Sequence, residues 1–200
     1  MKAKKFYFDD DEMGLAVQTS HPNFNSIIKK DFYFDCVDDF APFGNDDGAD
    51  ALMSLQDWYK EKRRGKVVNW LYRYIDGFGF RYKSKWVSGF TELDDIIWLE
   101  GEDPSFIGIM DRAIIGIGFG QCKITGFINP DLKKIVFAAI ARQKLIHQYD
   151  REVNESGKAL GLMDGATERD KQLINEWLER LVMMEADLSA FSEEPQVANA

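Results

Sequence analysis

A chain of 200 residues that is 45% hydrophobic and 14% aromatic can bury roughly 70% of the surface its unfolded form exposes, which excludes general disorder and any need for a covalent staple. A formal net charge of −9 repels phosphate backbones, so no nucleic-acid partner is expected and a basic protein partner fits better. The two cysteines, Cys36 and Cys122, lie far apart and predict reduced thiols, not a disulfide framework.

The amino terminus starts basic and turns acidic at Asp9 and Asp10 before any apolar stretch of export length, which predicts a cytoplasmic protein. Ala113 to Phe119, the most hydrophobic run, is far shorter than the roughly 20 residues of a membrane span, so no membrane partner is expected. Lys5 to Phe8 and Asp31 to Val37 alternate in the manner of short strands, with Phe32, Phe34 and Cys36 on one side and Tyr33 and Asp35 on the other. Pro42, Gly44, Asn45 and Gly48 then mark a loop from Val37 to Gly48.

Asp47, with Asp50 three residues on, predicts a helix cap, and Leu52, Leu55 and Tyr59 continue that helix to about Arg64. Val67, Trp70, Leu71, Tyr74 and Ile75 form the next stripe, closed by Gly77 and Gly79. Thr91 with Asp94 opens a short helix to Gly101. Asp103-Pro104 starts another, with Phe106, Met110, Ala113, Ile114 and Ile117 on one face. Asn129-Pro130-Asp131 is the clearest helix start, and Leu132, Ile135, Val136, Ala139, Ile140, Gln143 and Ile146 follow at helical spacing. Thr167 with Asp170 begins the last, lined by Leu173, Ile174, Trp177, Leu178, Leu181 and Leu188. The expected fold class is α+β and predominantly α-helical, with a small N-terminal β element and a bundle of about five helices. One globular domain, 1–191, and a C-terminal tail, 192–200, complete the expectation.

From Asp31 to Asp50 there are seven aspartates and no basic residue, whereas Lys60 to Lys66 is basic apart from Glu61 and Gly65. Acids at a helix start and bases at its end are what the helix macrodipole favours, so the pattern has a structural explanation. Counted from Asn45, the cluster Asn45, Asp46, Asp47 and Asp50 misses the calcium-loop spacing: position five is Ala49, position twelve is Gln56 where a bidentate Glu belongs, and no glycine occupies position six. No metal site is expected. Gly116-Ile117-Gly118-Phe119-Gly120 lacks the spacing of a phosphate loop and reads as a place where a neighbouring helix comes close. His21 and His147 are the only histidines, and His147 reads as a neutral polar residue late in a helix. Trp58, Tyr59 and Trp70 beside the basic block could stack on single-stranded nucleic acid, but helical spacing favours a core role. No cofactor is expected.

The order His21-Pro22, Asp31-Phe32-Tyr33 and Pro42-Phe43-Gly44-Asn45-Asp46-Asp47-Gly48-Ala49-Asp50 resembles the uncharacterised bacterial proteins of the YfeS type. Ala138-Ala139-Ile140-Ala141-Arg142-Gln143 is similar to a later helix of such proteins. The resemblance implies a bacterial cytoplasmic protein and carries no reaction with it. The charge pattern makes a non-enzymatic protein-binding domain the leading expectation, immunity- or antitoxin-like toward a basic toxin. Its expected surface is Asp35, Asp38, Asp39, Phe40, Phe43, Asp46 and Asp47, with the aromatics supplying affinity. The alternative is an enzyme using the same acidic loop with a divalent cation, which would require those carboxylates to converge in a pocket.

Overall fold

In the computed structural model, which describes residues 5–61, 65–152, 159–161 and 163–193, the most apolar segment of the chain becomes a helix enclosed by the others. Eight α-helices form among the described residues: α1 Pro22–Ile27, α2 Asp46–Lys60, α3 Val67–Asp76, α4 Ser84–Val87, α5 Leu93–Glu102, α6 Phe106–Thr125, α7 Pro130–Glu152 and α8 Glu168–Ala190. Helices α2 and α7 lie against α6, and α8 packs on α7. The architecture is all-helical.

The expected β element is therefore corrected. Among the described residues no strand forms, and Ile128 with Glu193 makes one isolated parallel bridge. Asp31–Phe34 is a short 3-10 turn, and the Lys5 to Phe8 segment is irregular chain tied to α6 by the Tyr7 N–H donating to the Ile124 carbonyl at 3.1 Å. A strand needs a partner for its backbone groups, and helices supply none. In the tight turn Tyr33 is buried, with its hydroxyl donating to Asp187 at 2.7 Å, while Phe32 and Phe34 pack partly buried beside it.

Helix boundaries follow the local chemistry where side chains cap them. Asn129 Oδ1 accepts from the Asp131 and Leu132 amides at the start of α7, and Thr167 with Asp170 forms a full capping box on α8. The first turn of α6 departs from expectation. Asp103 accepts from the Arg81 amide instead of capping, and Ser105, in the left-handed region at φ 69°, precedes Phe106 with its amide donating to the Glu100 carboxylate. Glu92, not Thr91, precedes α5 and makes no side-chain cap. The basic block is described only in part, because residues 62–64 lie outside the described residues, as do 194–200 of the expected tail.

Seventeen of the 20 residues of α6 are buried, and its glycines set how closely the neighbours approach. A Cβ on Gly116 would stand 2.9 Å from Gly48 Cα and from the Gly48 carbonyl oxygen, so two glycines let α2 and α6 cross backbone to backbone. Gly118 makes room for Val136 of α7, and Gly120 for Leu52 and Leu55 of α2. Trp58 and Trp70 are buried between α2 and α3, their rings 5.8 Å apart, so they serve the core. Cys36 is exposed and Cys122 buried, both as free thiols.

Filling the α2–α6 crossing should be costly. Gly116→Ala is expected to lose about 1–3 kcal/mol of unfolding free energy in urea melts. Gly101→Ala, at a helical position in α5 with open space around it, should instead gain up to about 1 kcal/mol. Equal effects at the two positions would remove the close-approach account of Gly116.

Candidate functional site

The acidic segment from Asp31 to Asp50 divides its carboxylates by direction. Asp38 turns inward: one oxygen accepts from the Phe40 amide at 3.0 Å and from the Arg180 guanidinium of α8. Asp47 also turns inward, and a single oxygen takes both Nε and Nη2 of Arg112 at 2.6 Å. Asp35, Asp39 and Asp46 stay exposed, as do Asp31 and Asp50. Phe43 is only 2% exposed and belongs to the core. Phe40 is half-buried against Trp177, ring centroids 4.4 Å apart, and Arg180 lies over both Phe40 and Phe32.

The cap of α2 is Asn45, which corrects the expectation for Asp47. Asn45 Oδ1 accepts from the Gly48 amide at 2.8 Å, and its side-chain nitrogen donates to the carbonyls of Asp39 and Ala41. One side chain thus satisfies a helix donor and two loop acceptors. Asp47 in the first turn still meets the positive end of the helix, but its hydrogen bonds go to Arg112. Among the described residues no group of three or more His, Cys, Asp or Glu side chains gathers as metal ligands would.

A second constellation, absent from the sequence reading, lies where α5, α6 and α7 meet. A cavity of about 280 Å³ is lined there by Glu100, Ser105, Arg112, Gln143, Leu160 and Gly161, among others. Beneath it Asp111 and Arg142 form a fully buried pair joined by Arg142 Nη2 at 2.6 Å and Nε at 3.1 and 3.2 Å, and the Gln143 side-chain nitrogen donates to Asp111 at 3.0 Å. Arg142 Nη1 donates to the carbonyls of Ser88 and Phe90, so the guanidinium also ties down the α4–α5 connection. Burial pushes the Asp111 carboxyl up, while Arg142 and Gln143 pull it back toward the ionised form. The signal available in the sequence was Asp111-Arg112 inside the most apolar helix, where two charges need partners.

One curated relative is an uncharacterised protein, YfeS of Escherichia coli strain K12, 31% identical to this chain over 146 residues. That alignment covers 70% of the chain and 57% of the relative, so the chain spans little more than half of that protein's length. Over this stretch the chain belongs to the YfeS-type family. No family model matches the sequence, and no solved structure matches the fold. A YfeS-type relative described as uncharacterised supplies no reaction, which leaves the geometry to carry the functional reading. Among the described residues, no helix is long and apolar enough to cross a membrane.

His147 lies one helical turn beyond Gln143 on α7. It is buried, its Nδ1 makes no hydrogen bond, and its ring meets the Trp177 ring edge-on at 5.5 Å. Burial, helped by the Arg112 charge, pushes its pKa down to about 3. The folded state therefore holds His147 neutral through a window, from about 6.5 down to about 3, in which the unfolded chain protonates it. Because the unfolded state binds more protons there, unfolding free energy falls as pH drops through that window. His147→Gln should flatten this dependence by up to about 1.4 kcal/mol per pH unit in urea melts between pH 6.5 and 4.5. An unchanged slope would mean that the folded protein protonates His147.

The cap reassignment has its own test. Asn45→Ala should cost about 0.5–2 kcal/mol through the lost cap. Asp47→Asn should keep the α2 boundary in amide chemical shifts while releasing Arg112. Loss of the first turn of α2 in Asp47→Asn would return the cap to Asp47.

Proposed function

We propose that this chain is a non-catalytic protein-binding domain of bacterial cytoplasm whose partner is basic, in the manner of an immunity or antitoxin protein facing a cationic toxin domain. The observation that carries the reading is the division of the acidic segment. Asp38 and Asp47 anchor it to α8 and α6 through arginines, and Asp31, Asp35, Asp39, Asp46 and Asp50 are left outward on the anchored backbone. An anchored surface loses little conformational entropy on binding, and outward charge of one sign speeds the approach of a cationic partner. The chain's net charge of −9 adds to that field. The divalent-cation enzyme is less well supported, because these carboxylates diverge.

With a partner captured by pull-down, Asp35→Lys and Asp39→Lys should slow association about tenfold or more at low salt with little effect on dissociation. Surface plasmon resonance at low and high ionic strength measures both rates, and high salt should erase the difference between variant and parent. Unchanged association at both salts would place the interface elsewhere. The exposed Trp86 and Trp98, whose rings meet at 6.1 Å beside Tyr82, would then be the surface to truncate.

A further inference from the structure

We propose that the exposed aromatic patch between α4 and α5 is a docking surface for a second copy of this chain, related to the first by a two-fold axis. Trp86 of α4 and Trp98 of α5 keep 54% and 45% of their surface in water, although their rings meet edge-on at 6.1 Å. Tyr82 closes the group, its ring 5.5 Å from Trp86 and 5.4 Å from Trp98, and Phe90 lies 5.2 Å from Trp86. Two tryptophans half in water hold on the order of 200 Å² of open ring. Tyr82, Phe90 and the exposed Ile97 extend it toward the roughly few hundred Å² at which apolar surface on a soluble protein marks an interaction site.

The backing of the patch is fixed. The buried Ser84 donates to Asp76 Oδ1 from both its amide and its hydroxyl, each at 2.8 Å, which pins the start of α4. Arg142 Nη1 holds the carbonyls of Ser88 and Phe90 at 2.8 and 3.0 Å, and α5 is seated by the buried Ile96 and Leu99. Aromatic anchors on a pinned backbone lose little conformational freedom when they are covered.

The borders of the patch identify what covers it. On α4, Lys85 adjoins Trp86 and Lys83 lies one turn before it, both exposed. On α5, Asp94 and Asp95 lie one turn before Trp98, also exposed. Among the described residues none of these four side chains makes a hydrogen bond or ion pair, whereas Arg81 and Glu102 at the same patch are already joined at 2.9 Å. A basic partner would meet Lys83 and Lys85 as like charges, and an acidic partner would meet Asp94 and Asp95 so. A second copy turned about the tryptophans sets the α4 of each on the α5 of the other and matches both borders at once, which is the self-complementarity of an isologous interface. Two chains of net charge −9 repel, and this balanced face is where they can still approach. The aromatic core alone is smaller than the roughly 800 Å² per partner of a standard interface, so the charged borders belong to the contact.

Sedimentation velocity on the intact protein over a concentration series tests this. The parent should pass from monomer to dimer with a Kd of about 100 µM or tighter. Trp86→Ala and Trp98→Ala, both at exposed positions, should keep the parent's circular dichroism and raise that Kd about tenfold or more. Lys83→Glu with Lys85→Glu in one variant, and Asp94→Lys with Asp95→Lys in another, should each weaken self-association. Mixed one to one, the two variants should recover a dimer, because both borders then match again. Asp35→Lys with Asp39→Lys should dimerise as the parent does, and loss of the dimer there would move the interface to the acidic segment. A folded Trp86→Ala protein that dimerises as tightly as the parent, or mixed charge variants no tighter than either alone, would each overturn the proposal. So would a parent that stays monomeric at about 1 mM, and pelleting of that monomer with phosphatidylcholine vesicles would assign the patch to a lipid surface instead.

Discussion

Helix α6 can be enclosed on every side only if the charges it carries are matched inside the protein. Asp111 near its start and Lys123 near its end are both fully buried. Asp111 takes the Arg142 guanidinium, and Lys123 takes Asp9 at 2.7 Å with the Thr19 carbonyl at 3.0 Å. Each pair reaches a different part of the chain, so the two ends of α6 hold α7 and the N-terminal segment respectively. Such pairs contribute little net stability over apolar packing, yet removing one partner strands a charge at a cost of about 3–5 kcal/mol. Their effect is to fix which way α6 faces. A shift of one residue along the helix would carry both charges away from their partners.

The same constraint shapes the acidic segment. With seven aspartates and no base of its own, that segment can be anchored only by cations from elsewhere, and Arg112 and Arg180 supply them. Arg180 combines charge with stacking over Phe32 and Phe40, which compresses the 3-10 turn and the loop against α8. Both arginine pairs are largely shielded from solvent, so screening by salt acts less on the anchors than on the outward carboxylates.

Local chemistry was readable in the sequence wherever the partner of a residue lies a few positions away. Asn129 and Thr167 cap the helices they announce, and the stripe from Leu132 to Ile146 becomes a helix with a buried face. The cap of α2 was missed by two residues because Asn45, Asp46 and Asp47 are all good capping side chains, and the choice fell to Arg112, 65 positions from Asp47. Alternation in Asp31 to Val37 suggested a strand because aromatic residues on both sides of a tight turn give the same pattern as a pleat. The length of α6 was hidden by Gly116, Gly118 and Gly120, which weaken an isolated helix but are required by Gly48, Val136 and Leu52 pressing on it. The cavity was not legible at all, since it draws on three helices and the 159–161 segment.

Arg112 belongs to both candidate surfaces. It anchors the acidic segment through Asp47 and lines the cavity between α5 and α7. A partner pulling on the acidic segment would alter the guanidinium that lines the cavity. Thermodynamic linkage makes any such coupling reciprocal, so whatever changes the cavity wall at Arg112 bears equally on the acidic segment. The outward aspartates, which touch neither arginine, are therefore where surface charge can be changed without also changing the cavity.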